Sequence, residues 1–403
     1  MRCSRSSEAS RSSTVAATSS LGVPLSSFGG ANDSERLAAY DVARRAVGSG
    51  LHGFPVLHDQ NRTYQYTAPL LISDGFSIVG SVRPLDQPRG RSSLNIPLPN
   101  QVELRLPSGG WLQLPNGLTF GVSLVGLSFD ANTTGRVFEP NASATLWTST
   151  FRDISYQNGP GILGSTAVRQ GCDVVTFEGF GNWNNLRDCA VNWGGSDNSM
   201  ANTKLLIDSQ RIPNNFLGDT NYLMRMGDLS KTDINGWYLT SEGHSALKVT
   251  FTSSQNMLVF TNLFIEGRNS STPCFGALVR MDHGTTPGAA AGFTQWNSCW
   301  FSYAMTAPAS GPNAGDLGYV HVTSGYHEFF NCHSRLANAN TNTTPVLYAT
   351  GANTKVVVRN WSGEGNTSIT GGGQTTGVAF KPTVRVVGGA TADVDSSVNL
   401  VTV

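Results

Sequence analysis

Three glutamates end strand-like runs in a way that could support acid–base chemistry. Glu266 and Glu364 each precede a glycine, in FTNLFIEGR and RNWSGEG, and Glu242 precedes another in SEGH, with His244 following. Glycoside hydrolysis needs two carboxyl groups roughly 5–10 Å apart, one to protonate the leaving oxygen and one to attack or to activate water. β-Elimination needs a base beside a cation, and Arg268 follows Glu266 by two residues. Glu242 with Glu266, from neighbouring segments, is the catalytic candidate under an enzymatic reading. Glu266 and Glu364 lie three segments apart, about 14 Å at the spacing of stacked strands, which is too far for one acid pair. A Glu–Gly ending equally suits an exposed turn, and the MDHG of Asp282 and His283 reads as a loop contact. Trp237, Tyr238, Trp300, Tyr303 and Trp361 offer flat faces for the C–H side of a sugar ring. Trp300 and Trp361 are expected to point outward and are the substrate-binding candidates, whereas Trp237 is expected inside.

These residues must be held by elements that recur. An Asn sits among aromatic and aliphatic residues at 235, 262, 297, 331 and 360, at intervals of 27, 35, 34 and 29 residues. The variable interval excludes a propeller blade or a leucine-rich repeat and suits the coils of a parallel β-helix, whose turns accept insertions while strands stay stacked. Even offsets from the Asn place Leu258, Phe260, Phe293, Gln295, Phe329 and Val358 before it, and Trp237, Phe264, Cys299 and His333 after it, on the inward face. The Asn itself is expected to form an inward corner column, because it tolerates a left-handed backbone and its amide can bond to the coils above and below.

Composition agrees with this reading. Only 13% of residues are charged, 45 of 403 are glycine, and Lys plus Arg equals Asp plus Glu at 27 each. A neutral chain predicts no broad attraction to nucleic acid or to an anionic membrane, and no apolar run is long enough to insert into one. The six cysteines lie far apart, without metal-ligand spacing; they are expected to be buried free thiols, with no metal and no cofactor. One amphipathic helix is predicted after residue 31, with Asn32 capping it, Glu35 completing the cap, and Leu37, Tyr40 and Val47 on one face. It would cover the first coil. The Ser-rich start lacks the apolar core of a signal peptide, so synthesis in the cytoplasm is expected.

The stretch from NDSERLAAYDVARRAVGSG at residue 32 to SDGFSIVGS resembles the opening of pectate-lyase-like right-handed β-helix proteins, particularly bacteriophage tail spikes and tail fibres. The matching features are Asn32-Asp33, the helix to Val47, Tyr64 or Tyr66, Pro69 to Ile72 and Gly75 to Gly80, about 50 residues in all. GFPVLHDQNRTY departs from the usual turn, which is richer in Gly and Pro. The resemblance implies an all-β, single-stranded right-handed parallel β-helix with an N-terminal capping helix, homotrimeric and part of a virion. Residues 1–30 are expected to be a tail docking on other tail or baseplate proteins, 31–120 the capping helix and first coils, 121–366 the body, and 367–403 closing or trimerisation strands. The partners implied are further copies of the chain, other tail proteins and a host-surface glycan. A glycan depolymerase on the same scaffold is the alternative, and a cellular polysaccharide lyase stands third; the Asn-Thr-Asp, Asp-Asp and Gly-His-Gly signatures of pectinase hydrolases are missing.

Overall fold

The computed structural model describes residues 22–47, 54–59, 62–80, 102–180, 183–198, 205–209, 222–229, 232–242, 245–251, 257–268, 277–283, 292–303, 318–336, 345–365 and 378–403. Their strands stack in parallel, coil upon coil, into three long sheets with two short ones near the start. Sheet I has 16 strands and includes Tyr238–Glu242, Phe264–Arg268, Trp300–Tyr303, His333–Leu336 and Ser362–Gly365. Sheet II has eight strands, from Val191–Asn198 to Asn399–Thr402, and sheet III has six, from Thr232–Asn235 to Thr391–Val394. One coil visits all three. Phe293–Asn297 lies in sheet III, Trp300–Tyr303 in sheet I and Val320–Val322 in sheet II. This is a parallel β-helix, as the spacing predicts.

The interior is one continuous apolar column, because each strand turns alternate residues toward the axis. Phe260, Trp296, Phe329 and Val358 occupy one inward row and are fully buried. Their rings stack, Phe260 on Trp296 at 3.9 Å and Trp296 on Phe329 at 6.0 Å between centroids. Stacking like on like is what an in-register parallel array imposes.

The corner between sheets III and I differs from the expected one. The left-handed residues there are Gly236 (φ 73°), Asn262 (55°), Ser298 (53°), Asn331 (54°) and Asn360 (54°). Asn235 and Asn297 each stand one residue earlier, paired with Thr261 and Phe330 respectively. The corner Asn side chains are exposed rather than inward. Two side-chain links survive of the expected column, Asn360 Nδ2 to Asn331 Oδ1 at 2.8 Å and Asn262 Nδ2 to Asn235 Oδ1 at 3.4 Å, and Ser298 interrupts it. The backbone carries the stacking instead: the N–H of Asn262, Ser298 and Asn331 donates to Asn297, Phe330 and Arg359 of the next coil at 2.9–3.0 Å.

The left-handed residue also breaks the in–out alternation. Before it, the residues two and four back point inward; after it, the residues one and three ahead do. Leu263, Cys299, Cys332 and Trp361 are therefore buried, whereas Phe264 and His333, expected inside, stand on the outer face. Phe293 and Gln295 likewise face outward, because the corner of their coil is Ser298.

The helix spans Asp33–Val47. Asn32 Oδ1 accepts the Glu35 N–H at 2.9 Å, and Glu35 returns by accepting the Ala31 N–H and the Asn32 side-chain amide at 2.7 and 3.0 Å. Its buried face is Leu37, Tyr40, Asp41 and Arg44, and Val47 is 71% exposed, contrary to expectation. Arg44 takes that place because both terminal nitrogens of its guanidinium are satisfied, by Asp41 Oδ1 at 2.5 Å, Ser73 Oγ at 2.8 Å and the Asp74 carbonyl, while its Nε is buried without a partner. Tyr40 donates to the Ser77 carbonyl at 2.9 Å and packs between Phe28, Phe54 and Phe76. The chain joins the sheets earlier than the expected boundary at residue 30: Val23–Pro24 already pairs with Val56–Leu57, and Leu25 is buried. Residues 1–21 lie outside the described residues. At the other end the coil pattern persists, since Thr383–Val387 and Thr391–Val394 extend sheets II and III; among the described strands only Val378–Phe380 runs antiparallel.

Candidate functional site

The outer face of sheet I brings together Glu266, Glu364 and Trp300 of the residues singled out for chemistry. The first outward row after the corner runs Phe264, Trp300, His333, Ser362, one residue per coil. The next runs Glu266, Ser302, Arg335, Glu364. Both exist because the left-handed corner fixes which residues stand outside. Phe264 and Trp300 have centroids 5.7 Å apart, and Trp300 and His333 4.2 Å. An aromatic strip thus borders a row of hydroxyls and charges.

Glu364 is held by Arg335, Nε to Oε1 at 3.4 Å, with His333 Nε2 at 4.0 Å. His333 Nδ1 meets Ser362 Oγ at 2.8 Å. Partial burial lowers the His333 pKa, opposed by the Glu364 carboxylate. Trp300 Nε1 and His333 Nε2 are buried without a hydrogen-bond partner, side by side on this face. Buried polar atoms are normally paired; the core tryptophans Trp111, Trp193 and Trp237 also have an unpartnered Nε1, so what distinguishes the Trp300–His333 pair is its position on the outer face.

The candidate acids are distributed as follows. Glu266 pairs in register with Thr240 and Ser302, and Glu242 with Arg268, so the two glutamates are not directly opposed. One coil step and two residues along the strand separate their backbones by about 8 Å. Ser302 and Arg335 intervene between Glu266 and Glu364, three coil steps or about 14 Å. Phe301, one residue before Ser302, is buried. His244 lies outside the described residues. Asp282 and His283 end the strand Val279–His283 rather than a loop, and Asp282 accepts from Arg280 Nε at 2.7 and 2.8 Å, with Lys248 Nζ at 3.5 Å. That carboxylate is structural.

Of the aromatic candidates, Trp300 is on the outer face, half-buried. Trp361 is a correction. It is 1% exposed, its N–H donates to Ser334 Oγ at 2.8 Å, and it packs on Phe301 and Phe329, so it cannot meet a ligand directly. Trp237 is buried as expected. His333 and Arg335 were missed as site residues; aligning the coils on Asn262, Ser298 and Asn331 would have placed them beside Trp300 and Ser302. Among the described residues no group of acids, His and Cys could hold a metal ion, and no helix is long and apolar enough to cross a membrane.

No protein-family profile matches the chain, and no curated protein does. Solved structures with a similar chain path include the Agl-KA catalytic domain (11% identity, TM-score 0.46, 96% of this chain and 69% of that one). The A-module of the Azotobacter vinelandii mannuronan C-5 epimerase is another (10%, 0.39, 94% and 96%). A tailspike protein mutant of E. coli bacteriophage HK620, in complex with a pentasaccharide, is a third (10%, 0.38, 94% and 78%). At such identities the comparison concerns chain path alone, and the architecture rests on the strand pairing described above.

Proposed function

We propose that this chain is the β-helical body of a phage tail fibre or tail spike, that it acts as a homotrimer, and that it attaches the particle to a host-surface glycan. The observation that carries the adhesive part is the outer face of sheet I. There Phe264, Trp300 and His333 form a continuous aromatic strip beside Glu266, Ser302, Arg335 and Glu364. Sugars present apolar ring faces and hydroxyls together, and a strip of this composition meets both needs. The viral part is supported by the resemblance of residues 32–80 to tail-spike openings. Residues 1–21, ahead of the first paired strand, would dock on neighbouring tail proteins, and residues 367–403 would take part in closing the stack and in trimerisation.

The test is binding of the purified chain to host envelope glycans, measured by calorimetry. Trp300→Ala is expected to weaken binding about tenfold, the loss of one stacked aromatic contact. Unchanged affinity in a folded variant would remove sheet I from the reading. Light scattering on a chain lacking residues 371–403 tests the trimer: a particle still three chains in size would free that segment from trimerisation.

A depolymerase reading draws on the roughly 8 Å between the backbones of Glu242 and Glu266, within reach of an inverting pair. Release of new reducing ends or unsaturated products, abolished by Glu242→Gln or Glu266→Gln, would replace adhesion with catalysis.

A further inference from the structure

A second outward row runs along sheet II. Register pairs Arg225 with Lys248, Lys248 with Arg280, Arg280 with His321, His321 with Tyr348 and Tyr348 with Arg385. The flanking residues of each strand are core, Met224 and Met226, Leu247 and Val249, Val279 and Met281, Val320 and Val322, Leu347 and Ala349, Val384 and Val386. The row therefore stands on the outer face. It spans five coil steps, about 24 Å.

Four of its six members are permanent cations and a fifth is histidine, in a chain whose overall charge is zero. Three cations in successive coils, Arg225, Lys248 and Arg280, repel one another at strand spacing. Asp282 offsets part of this by chelating Arg280 and approaching Lys248. Lys248 and His321 are packed down between their neighbours, while Arg225, Arg280, Tyr348 and Arg385 are half-buried; one terminal nitrogen of Arg225 donates to the Thr166 carbonyl at 3.1 Å. Arg385 Nε is buried without an acceptor. Beside the row run Thr250, Asp282, Thr323 and Thr350 in coil order, with the Asp282 carboxylate held by Arg280 and by Thr323 Oγ1 at 3.2 Å, and Thr350 Oγ1 on His321 at 3.2 Å.

We propose that this row is a binding track for a linear acidic polysaccharide, whose carboxylates meet the guanidinium groups of Arg225 and Arg385 at its two ends while its hydroxyls meet Thr250, Thr323 and Thr350 on either side of the Arg280–Asp282 pair. Guanidinium matches a carboxylate in two parallel hydrogen bonds, and a straight row at a fixed interval fits an extended polymer carrying charge at regular intervals. Duplex DNA fits worse. Over about 24 Å its strands advance roughly seven base pairs, two thirds of a turn, and their phosphates wind off a straight row. Single-stranded nucleic acid relies on stacking, for which the row offers Tyr348 alone.

The experiment titrates the full chain with polygalacturonate oligomers and with neutral glucan oligomers of equal length, at low and moderate salt. Binding of the acidic oligomer only, weakening steeply with salt, is expected. Arg385→Gln and Arg225→Gln should each weaken it several-fold and together at least tenfold, with Arg225→Lys partly restoring it. Trp300→Ala should leave it unchanged, which separates this track from the sheet I face. Variants are compared only where their melting and circular dichroism match the parent, and Arg385→Gln suffices if Arg225→Gln misfolds. No acidic-oligomer binding at low salt, equal binding by the arginine variants, or tighter binding of single- or double-stranded DNA of matched length would each overturn the proposal.

Discussion

Two fully buried histidines, His58 and His327, make stability depend on acid at the scale of single residues. His58 is fully buried against the Tyr66 hydroxyl, and burial lowers its pKa from 6.5 to about 3. In His327, burial brings the value to about 4, although its Nε2 lies 2.7 Å from the Ser324 carbonyl, which fixes the proton there; Nδ1 then accepts from Thr294 Oγ1 at 2.8 Å. Between those values and 6.5 the unfolded chain binds more protons than the folded one, so stability falls as pH falls. The contribution is complete above pH 6.5 and declines by at most roughly 1.4 kcal/mol per pH unit for each group, down to the folded value. Thermal melts should shift downward between pH 7 and 5, and NMR should show neither imidazole titrating over that range. Burial also raises the thiol of Cys189 to about 12 and that of Cys332 well above its usual range. Cys172, Cys189, Cys299 and Cys332 are free and buried, so a thiol reagent should label them only on unfolding.

Corners dominate at the scale of elements. Asn331 at φ 54° sits where an ordinary side chain costs roughly 1–2 kcal/mol. Asn331→Val should therefore lower stability by about that amount, and Asn331→Gly by little, measured by denaturant midpoint. Removing Trp361, the residue after the last corner Asn, leaves a cavity in the core; Trp361→Ala should cost about 3–5 kcal/mol. These positions also explain what was legible beforehand. The recurring Asn announced a coil of about thirty residues because left-handed backbone selects for it. The phase was misread by one at 235 and 297, where Gly236 and Ser298 hold the corner and an Asn happens to precede them. Alternation could not be extended through the corner from sequence, since a single left-handed residue breaks it. Trp361 was therefore expected outside and lies inside. Trp300 was placed correctly because two errors cancelled: its distance from the true corner is even, and the rule after a corner is reversed.

For the whole molecule, stability accumulates from coil-on-coil contacts, and the last strands protect the coil beneath them. Truncation after residue 370 removes Thr383–Val387, Thr391–Val394 and Asn399–Thr402, uncovering strands that hold Val356, Val358 and Leu347 in the core. The shortened chain should melt earlier, with its C-terminal coils exchanging amide hydrogens before the rest. The helix at the other end belongs to the same economy of ends, and Asn32→Ala should cost about 1 kcal/mol through loss of its cap. Composition foretold this architecture better than it foretold the site. Low charge and frequent glycine reflect short strands and turns, whereas the cationic row of sheet II is invisible in a sum that equals zero. Only the register lines up Arg225, Arg280 and Arg385, which lie up to 160 residues apart in the chain.

The broken alternation at the corner bears on how such a gene can change length. Losing one codon between Phe329 and Asn331 would turn a strand inside out, presenting its aromatic residues to water. Duplicating an entire turn, corner included, would leave every neighbour facing as before and merely make the shaft taller. Growth by whole turns, with variation confined to the connections, is the path that this geometry leaves open.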